Sequence, residues 1–393
     1  MSLKLTVRQV AVPQSLDLAG ASVFLHGENK VIARGIAEQI SATGENRVAE
    51  LSEKWQQLIA DTELENLSDL PSPGVIGLTS IAFADSSSYR STITVPDHTL
   101  VIRGEVAFEI TTGASFQNSE IRKPSGIFEA GSQSAKGFQD SVETALGKIS
   151  SQEIEKVVLA RDLFMKTSAR PDLSLALERL ATRYPGCWVY AIGDVFGASP
   201  ELLLRAERGE VSARVLAGTA GRGTDPDVDR AIAEGLSHSL KNKHEHRYAV
   251  QSLVAELEPF CIAVEADNEP FSLALPDLWH LATDVRGRLK PEVNLLDVIA
   301  KLHPTAAVAG TPRREALALI DQLEPFDRGG YAGPVGWLSS DGSGEIAIAL
   351  RGGVIEPQGI RAIAGCGIVS ESEAEAELAE TELKFRAVRW AFS

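Results

Sequence analysis

The sequence predicts an α+β fold built on antiparallel β-sheets, and three observations carry that prediction. From Glu155 onward, β-rich stretches follow one another through turns, without the short strand–helix alternation of a doubly wound sheet. Helical segments are long and set apart from these stretches. The 393-residue chain is 44% apolar and only 23% charged, so it can bury a substantial core.

Residues 1–150 form one weakly informative part: 35–66 read as helical and mostly polar, then Pro71, Pro73 and Gly74 break the pattern before a β-rich stretch from Val75 to Ile110. Residues 111–135, rich in Gly, Ser and Thr, read as a long loop before a helix near Gly137 to Leu146. In residues 151–393, KVVLARDLFM reads as a strand and WVYAIGDVFGASPELLLRAERGEVSARVLAGT as three strands joined by turns. GEIAIALRGGVIEPQGIRAIAGCGIV reads as a hairpin around Pro357 to Gly359, and helices fit 172–183, 226–257, 312–322 and 373–391. No internal repeat is visible, which disfavours solenoids and propellers.

Composition narrows the partners. No apolar run approaches the roughly 18 to 20 residues that span a bilayer, and the start, MSLKLTVRQVAVPQS, has no continuous apolar segment, so the cytoplasm is the expected location and no membrane the expected partner. Cys187, Cys261 and Cys366 are odd in number and widely spaced, which indicates neither a disulfide framework nor a thiolate metal site. A net charge of -16 with scattered Lys and Arg opposes binding to nucleic acid. An anionic substrate would need local positive charge or a metal ion to enter.

The most informative segment is the last helix, ESEAEAELAETELKFRAVRWAF. At about 100° per residue its polar side chains split into two sets. Glu371, Glu375, Glu382, Arg386 and Arg389 fall together as a solvated face, while Glu373, Glu377, Glu380 and Lys384 form a stripe on the opposite side. Leu378, Phe385, Val388 and Phe392 border that stripe on one side, Ala376, Leu383, Ala387 and Trp390 on the other. It therefore points inward. Buried carboxylates cost several kcal/mol each unless paired or ligated, and three against one ammonium call for a hard divalent cation. The bland alternative is a solvated helix whose Glu380 and Lys384 form a surface pair.

Other candidates are ambiguous one by one. Lys156 shares a strand face with Val158 and Ala160, which suits either a desolvated general base or a lysine snorkelling at a strand edge. Glu201 opens the apolar strand ELLLR, which suits a proton donor or a turn carboxylate. In KHEHR, His244 and His246 are two apart on a helix and point about 200° apart, so they do not share one ion; Glu245 remains a lone carboxylate free to join ligands from another element. The Gly-rich LAGTAGRG and AGCGIV suit anion cradles but match no P-loop or dinucleotide fingerprint.

Taken in order, EKVVLAR, FGASPELLLR, LAGTAGRG, KHEHR, LWHLATDVRGRL, HPTAAVAGTP, LEPFDRGGYAGPVGW, IALRGG, AGCGIV and AETELK resemble the signature blocks of the chorismate-utilising enzymes, and within them the isochorismate synthases. The resemblance covers residue 155 to the C-terminus; in the N-terminal part PGVIGLTSIAF is similar to the family's first strand only loosely and lacks its Pro-Phe-Asp ending. It implies a single large domain of two mainly antiparallel sheets packed together and flanked by helices, with 151–393 as the chorismate-binding catalytic region.

The resemblance also implies roles. Lys156 matches the general base that activates water for attack at C2 of chorismate, and Glu201 the general acid that protonates the departing 4-hydroxyl. Glu245 and Glu380 match ligands of Mg2+, with Glu377 contributing directly or through water and Lys384 beside them. Arg351 and Tyr331 match residues that hold the enolpyruvyl carboxylate, helped by backbone N–H groups around Gly365 and Gly367; His303 matches a pocket histidine, and Gly218 and Thr219 line the floor. Ala217 leaves room for water where aminodeoxychorismate synthases carry a nucleophilic Lys. The implied reaction is isomerisation of chorismate to isochorismate by a monomer, for siderophore or menaquinone biosynthesis. Salicylate synthase, which goes on to eliminate pyruvate, is the rival, and HPTAAVAG resembles the isochorismate synthase form with Ala306 in place of its usual Pro. A non-catalytic chorismate-binding subunit would have lost the base, the acid or the ligands, and none is missing here.

Overall fold

Two sheets share one apolar core in the computed structural model, which describes residues 2–114 and 126–393 apart from the side chains of Lys241, His244 and Glu245. The thirteen-stranded sheet runs Glu129–Ala130, Lys156–Lys166, Gly359–Ile368, Gly352–Glu356, Val195–Ser199, Trp188–Ile192, Ser22–His26, Asn29–Arg34, His98–Arg103, Val106–Thr111, Leu3–Val10 and Thr62–Asn66, with Gly310–Thr311 beside Lys156–Lys166. The ten-stranded sheet runs Cys261–Ala266, Leu278–Leu289, Glu210–Gly221, Leu202–Glu207, Gly344–Ile348, Pro334–Ser339, Ile76–Ser80, Ser91–Val95 and Glu38–Ala42, with Phe271–Ala274 beside Leu278–Leu289. The described ladders are antiparallel except that of Leu3–Val10 with Thr62–Asn66.

At the strand Trp188–Ile192 the first sheet is covered on both faces, which explains the unbroken apolar run WVYAI, whereas the edge strand Thr62–Asn66 keeps exposed residues. Side chains alternate across a strand, so Trp188, Tyr190 and Ile192 enter the core between the sheets while Val189 and Ala191 enter a second core behind it. That second core is closed by the helices Ser174–Arg183, through Ala176, Leu177 and Leu180, and Ala374–Ala391, through Phe385, Ala387, Val388 and Ala391. The strands of residues 1–150 lie in the same two sheets, and Val7, Leu78 and Ile93 share the main core with Val157, Leu204 and Ile346.

Two strand pairs cross together from one sheet to the other. Val195–Ser199 belongs to the first sheet and Leu202–Glu207 to the second; Gly344–Ile348 belongs to the second and Gly352–Glu356 to the first. The crossings are bonded to each other, with the Ile348 N–H donating to the Glu201 carbonyl at 3.1 Å. Glu201 and Arg351 are therefore the residues of the seam. Arg351 adopts φ 54°, a left-handed conformation uncommon outside glycine, as the chain changes sheets.

The structure corrects several sequence expectations. Residues 35–66 hold the helix Arg47–Ala60 flanked by Glu38–Ala42 and Thr62–Asn66, because pairing with Ser91–Val95 and Leu3–Val10 overrides local propensity. The three expected strands from Trp188 are four. The expected 226–257 helix is two, Pro226–His238 and Leu240–Leu257, divided at Ser239, whose extended backbone ends the first and whose hydroxyl caps the second at Asn242 N–H. The hairpin at Pro357 to Gly359 is present, while Gly344–Ile348 pairs in the other sheet. Of the expected 111–135 loop, residues 115–125 lie outside the described residues.

Candidate active site

A cavity of about 280 Å³ opens at the seam between the sheets. Lys156, Val158 and Ala160 reach it from alternate positions of one strand, as the sequence reading required. Gly365 and Gly367 on the neighbouring strand also line it, and a Cβ at Gly367 would lie 2.9 Å from Lys156 Cε, so glycine there makes room for the lysine stem. Glu201 and Arg351 enter from the two crossings, and Tyr331 from the turn before Pro334–Ser339.

Ala217, Gly218 and Thr219 line the cavity consecutively, which a regular strand forbids. The register shifts here: Ala217 opposes Leu281 and Thr219 opposes His280, leaving Gly218 as a bulge at φ +81°. A bulge at glycine re-aims the chain without steric cost, and here it sets the Thr219 hydroxyl 3.1 Å from His280 Nδ1.

Helix Ala374–Ala391 supplies Glu377, Glu380 and Lys384. Its other side is anchored by Phe385, 1% exposed, whose truncation to Ala would cost about 3–5 kcal/mol. Lys384 Nζ donates to Glu380 Oε1 at 2.7 Å and to the Gly365 carbonyl at 2.6 Å, tying helix to sheet. The inward stripe is real but shorter than expected, because Glu373 is the exposed N-cap residue of the helix. Two members of the expected solvated face are also not free surface groups: Glu371 lines the cavity, and Glu382 pairs with the buried Arg161.

Electrostatics separate the carboxyls. Burial pushes Glu201 up to about 7, against the opposing pull of Lys156, Lys384 and Arg351. Burial likewise raises Glu377, and Glu380 adds to the rise, whereas at Glu380 the attraction of Lys384 outweighs burial and holds its carboxyl below the usual range. Burial pushes the Tyr331 phenol to about 12, which keeps it protonated as a donor at neutral pH.

The sequence reading missed His280, of the LWHLATD block. Burial, then Arg351 and Lys384, lowers it to about 3, so its imidazole is neutral. Arg351 Nη2 lies 3.3 Å from His280 Nε2, and a guanidinium only donates, so Nε2 accepts and Nδ1 carries the proton toward the Gly218–Thr219 bulge. His280 thus links the floor to Arg351. Its pairing partner in the adjacent strand was the missing signal. His303 is not among the residues lining this cavity: its Nε2 donates to the Ala332 carbonyl at 3.0 Å, and Ala332, not His303, faces inward. The fixed ring is packed edge-on to Phe83.

Glu245 lies on the helix Leu240–Leu257, but its side chain is outside the described residues. Next to it, His246 is 2% exposed and bonds Thr283 Oγ1 at 2.7 Å, as a core histidine does. Among the described residues no three His, Cys, Asp or Glu side chains converge as a metal cage. The oxygen donors Glu377 and Glu380, one turn apart at the cavity, still fit a hard cation, since the burial cost and mutual repulsion that raise Glu377 are what a cation would relieve.

The family described as chorismate binding enzyme matches residues 101–392. The salicylate biosynthesis isochorismate synthase of Pseudomonas aeruginosa is 34% identical over 92% of this chain and 82% of that protein, and the isochorismate synthase DhbC of Bacillus subtilis 30% identical over 92% and 91%. The structure of MenF, the menaquinone-specific isochorismate synthase of Escherichia coli, is similar with a TM-score of 0.80 at 20% identity, over 99% of this chain and 95% of that one. No described helix is long and apolar enough to cross a membrane.

Proposed function

Because the chain belongs to the chorismate binding enzyme family, we propose that it is an isochorismate synthase, an isomerase that adds water at C2 of chorismate and expels the C4 hydroxyl. The observation that carries this reading is that Lys156 and Glu201 line one cavity together with Arg351 and the small Ala217. Lys156 takes the proton of the attacking water, and Glu201, raised to about 7, still holds a proton near neutrality to give to the leaving oxygen. Ala217 leaves space for that water, where a lysine would offer an amine nucleophile.

Arg351, oriented by His280, and the protonated Tyr331 bind the enolpyruvyl carboxylate, with the backbone at Gly365 and Gly367 beside them. Magnesium would be held by Glu377 and Glu380 with Glu245, where it supplies neutralising charge for the ring carboxylate. Lys384, bonded to Glu380, fixes the orientation of that carboxylate.

Purified protein incubated with chorismate and magnesium, with products resolved by chromatography, should yield isochorismate. Salicylate plus pyruvate as the main products at neutral pH would replace this reading with a lyase, and an ammonia-dependent amino product would replace both. Lys156→Ala and Glu201→Gln should each fold and lose about 100-fold or more in turnover, the scale of a general acid or base.

A further inference from the structure

A second cavity, of about 170 Å³, meets the first at Glu201 and Ala307, which line both. Its remaining wall comes from Leu202 and Val215 in the second sheet, Ser252 and Glu256 on helix Leu240–Leu257, and the segment from Thr305 to Arg313. Glu201 is thus a partition between two spaces.

Isomerisation leaves Glu201 one proton short and Lys156 one proton rich at the end of each turnover. Glu201 is only 8% exposed, and a ring seated against Lys156, Ala217 and Arg351 covers its front side. The second cavity offers the rear. It is polar where a proton path needs polarity: the Thr305 hydroxyl is buried with no protein partner, the condition under which ordered water binds, and Glu256 is paired with Arg313 at 2.7 Å. Burial raises the Glu256 carboxyl despite Arg313, as suits a group that exchanges protons.

We propose that this second cavity is the proton port of Glu201, a water-filled path past Thr305 and Glu256 that returns the proton Glu201 gives to the leaving hydroxyl while substrate occupies the front. The proton balance closes: Glu201 gains one proton from solvent through the port, Lys156 returns the one taken from the attacking water, and water enters and leaves once. The proposal rests on Glu201 being the general acid. Thr305 and Glu256 are positioning residues that act through it.

The test uses full-length Thr305→Val and Glu256→Gln with chorismate and magnesium chloride, in H2O and D2O and with rising imidazole buffer at constant ionic strength. Both variants should show kcat lowered about three- to tenfold, an unchanged KM, an enlarged solvent isotope effect and recovery of kcat as imidazolium replaces the lost relay. Wild-type kcat in both, or a loss that buffer does not restore, overturns the port. Glu201→Gln run alongside separates the two claims: near wild-type turnover there defeats the acid assignment itself, whereas an inactive Glu201→Gln beside unaffected port variants defeats only the port.

Discussion

Glu201→Gln tests the site through stability, without any substrate. The glutamine keeps the shape of the side chain and removes its titration. In the native protein burial raises the Glu201 carboxyl from 4.5 to about 7. The folded state therefore binds the proton more tightly than the unfolded chain, and this contribution is fully present below the unfolded value and lost as pH rises through the folded one. Linkage over that window gives about 2.5 kcal/mol of wild-type stability lost between about pH 5 and about pH 8, relative to the non-titrating variant. Urea denaturation of both metal-free proteins at the two pH values measures the change in their difference, so any fixed effect of the glutamine cancels. The variant should gain on the wild type as pH rises. A difference that moves by less than about 1 kcal/mol would mean that Glu201 is not a desolvated carboxyl, and the argument for its protonation at neutral pH would fall with it.

Arg351→Lys replaces a planar fork with a point charge and should raise KM for chorismate about 10- to 100-fold with a smaller change in kcat, measured by steady-state kinetics; an unchanged KM would remove Arg351 from carboxylate binding. Glu377→Ala should weaken magnesium binding about tenfold or more by calorimetric titration of the substrate-free protein, and wild-type affinity would exclude it from the ligand set. Arg328 donates to the Val158 and Val308 carbonyls and pairs with Glu324 at 2.6 Å, both side chains 3% exposed or less, while Glu324 accepts from the Ala160 N–H. Arg328→Leu strands a buried carboxylate and should cost about 3–5 kcal/mol by denaturant unfolding, partly recovered in Glu324→Leu/Arg328→Leu; a loss below about 1 kcal/mol would contradict the bracing of the Lys156 strand.

Local pattern made part of this site legible. Period two put Lys156 on a face with Val158 and Ala160, and all three line the cavity. The helical period set Glu377, Glu380 and Lys384 apart from the exposed Arg386 and Arg389, and the structure turns those three inward. Family resemblance contributed Tyr331, Arg351 and Ala217, which periodicity alone left as turn and strand residues, and gave roles to glycines already legible as suited to an anion cradle. Pattern misled where pairing partners were distant. His303 sits in a recognisable block yet faces the Ala332 carbonyl, while His280, in a strand with no singular local feature, gains its place from a bulge about 60 residues upstream in the paired strand.

What the sequence determined by itself is a set of one-dimensional properties: which residues share a strand or helix face, and that the inward carboxylates Glu377 and Glu380 of the last helix need compensation. Only the tertiary structure decided that two strand pairs change sheets side by side, so that Glu201 and Arg351, 150 positions apart, stand at one seam. The physical reason is desolvation. A carboxyl is raised by what excludes water from it, and at Glu201 that enclosure is assembled from both sheets and closed only when they pack.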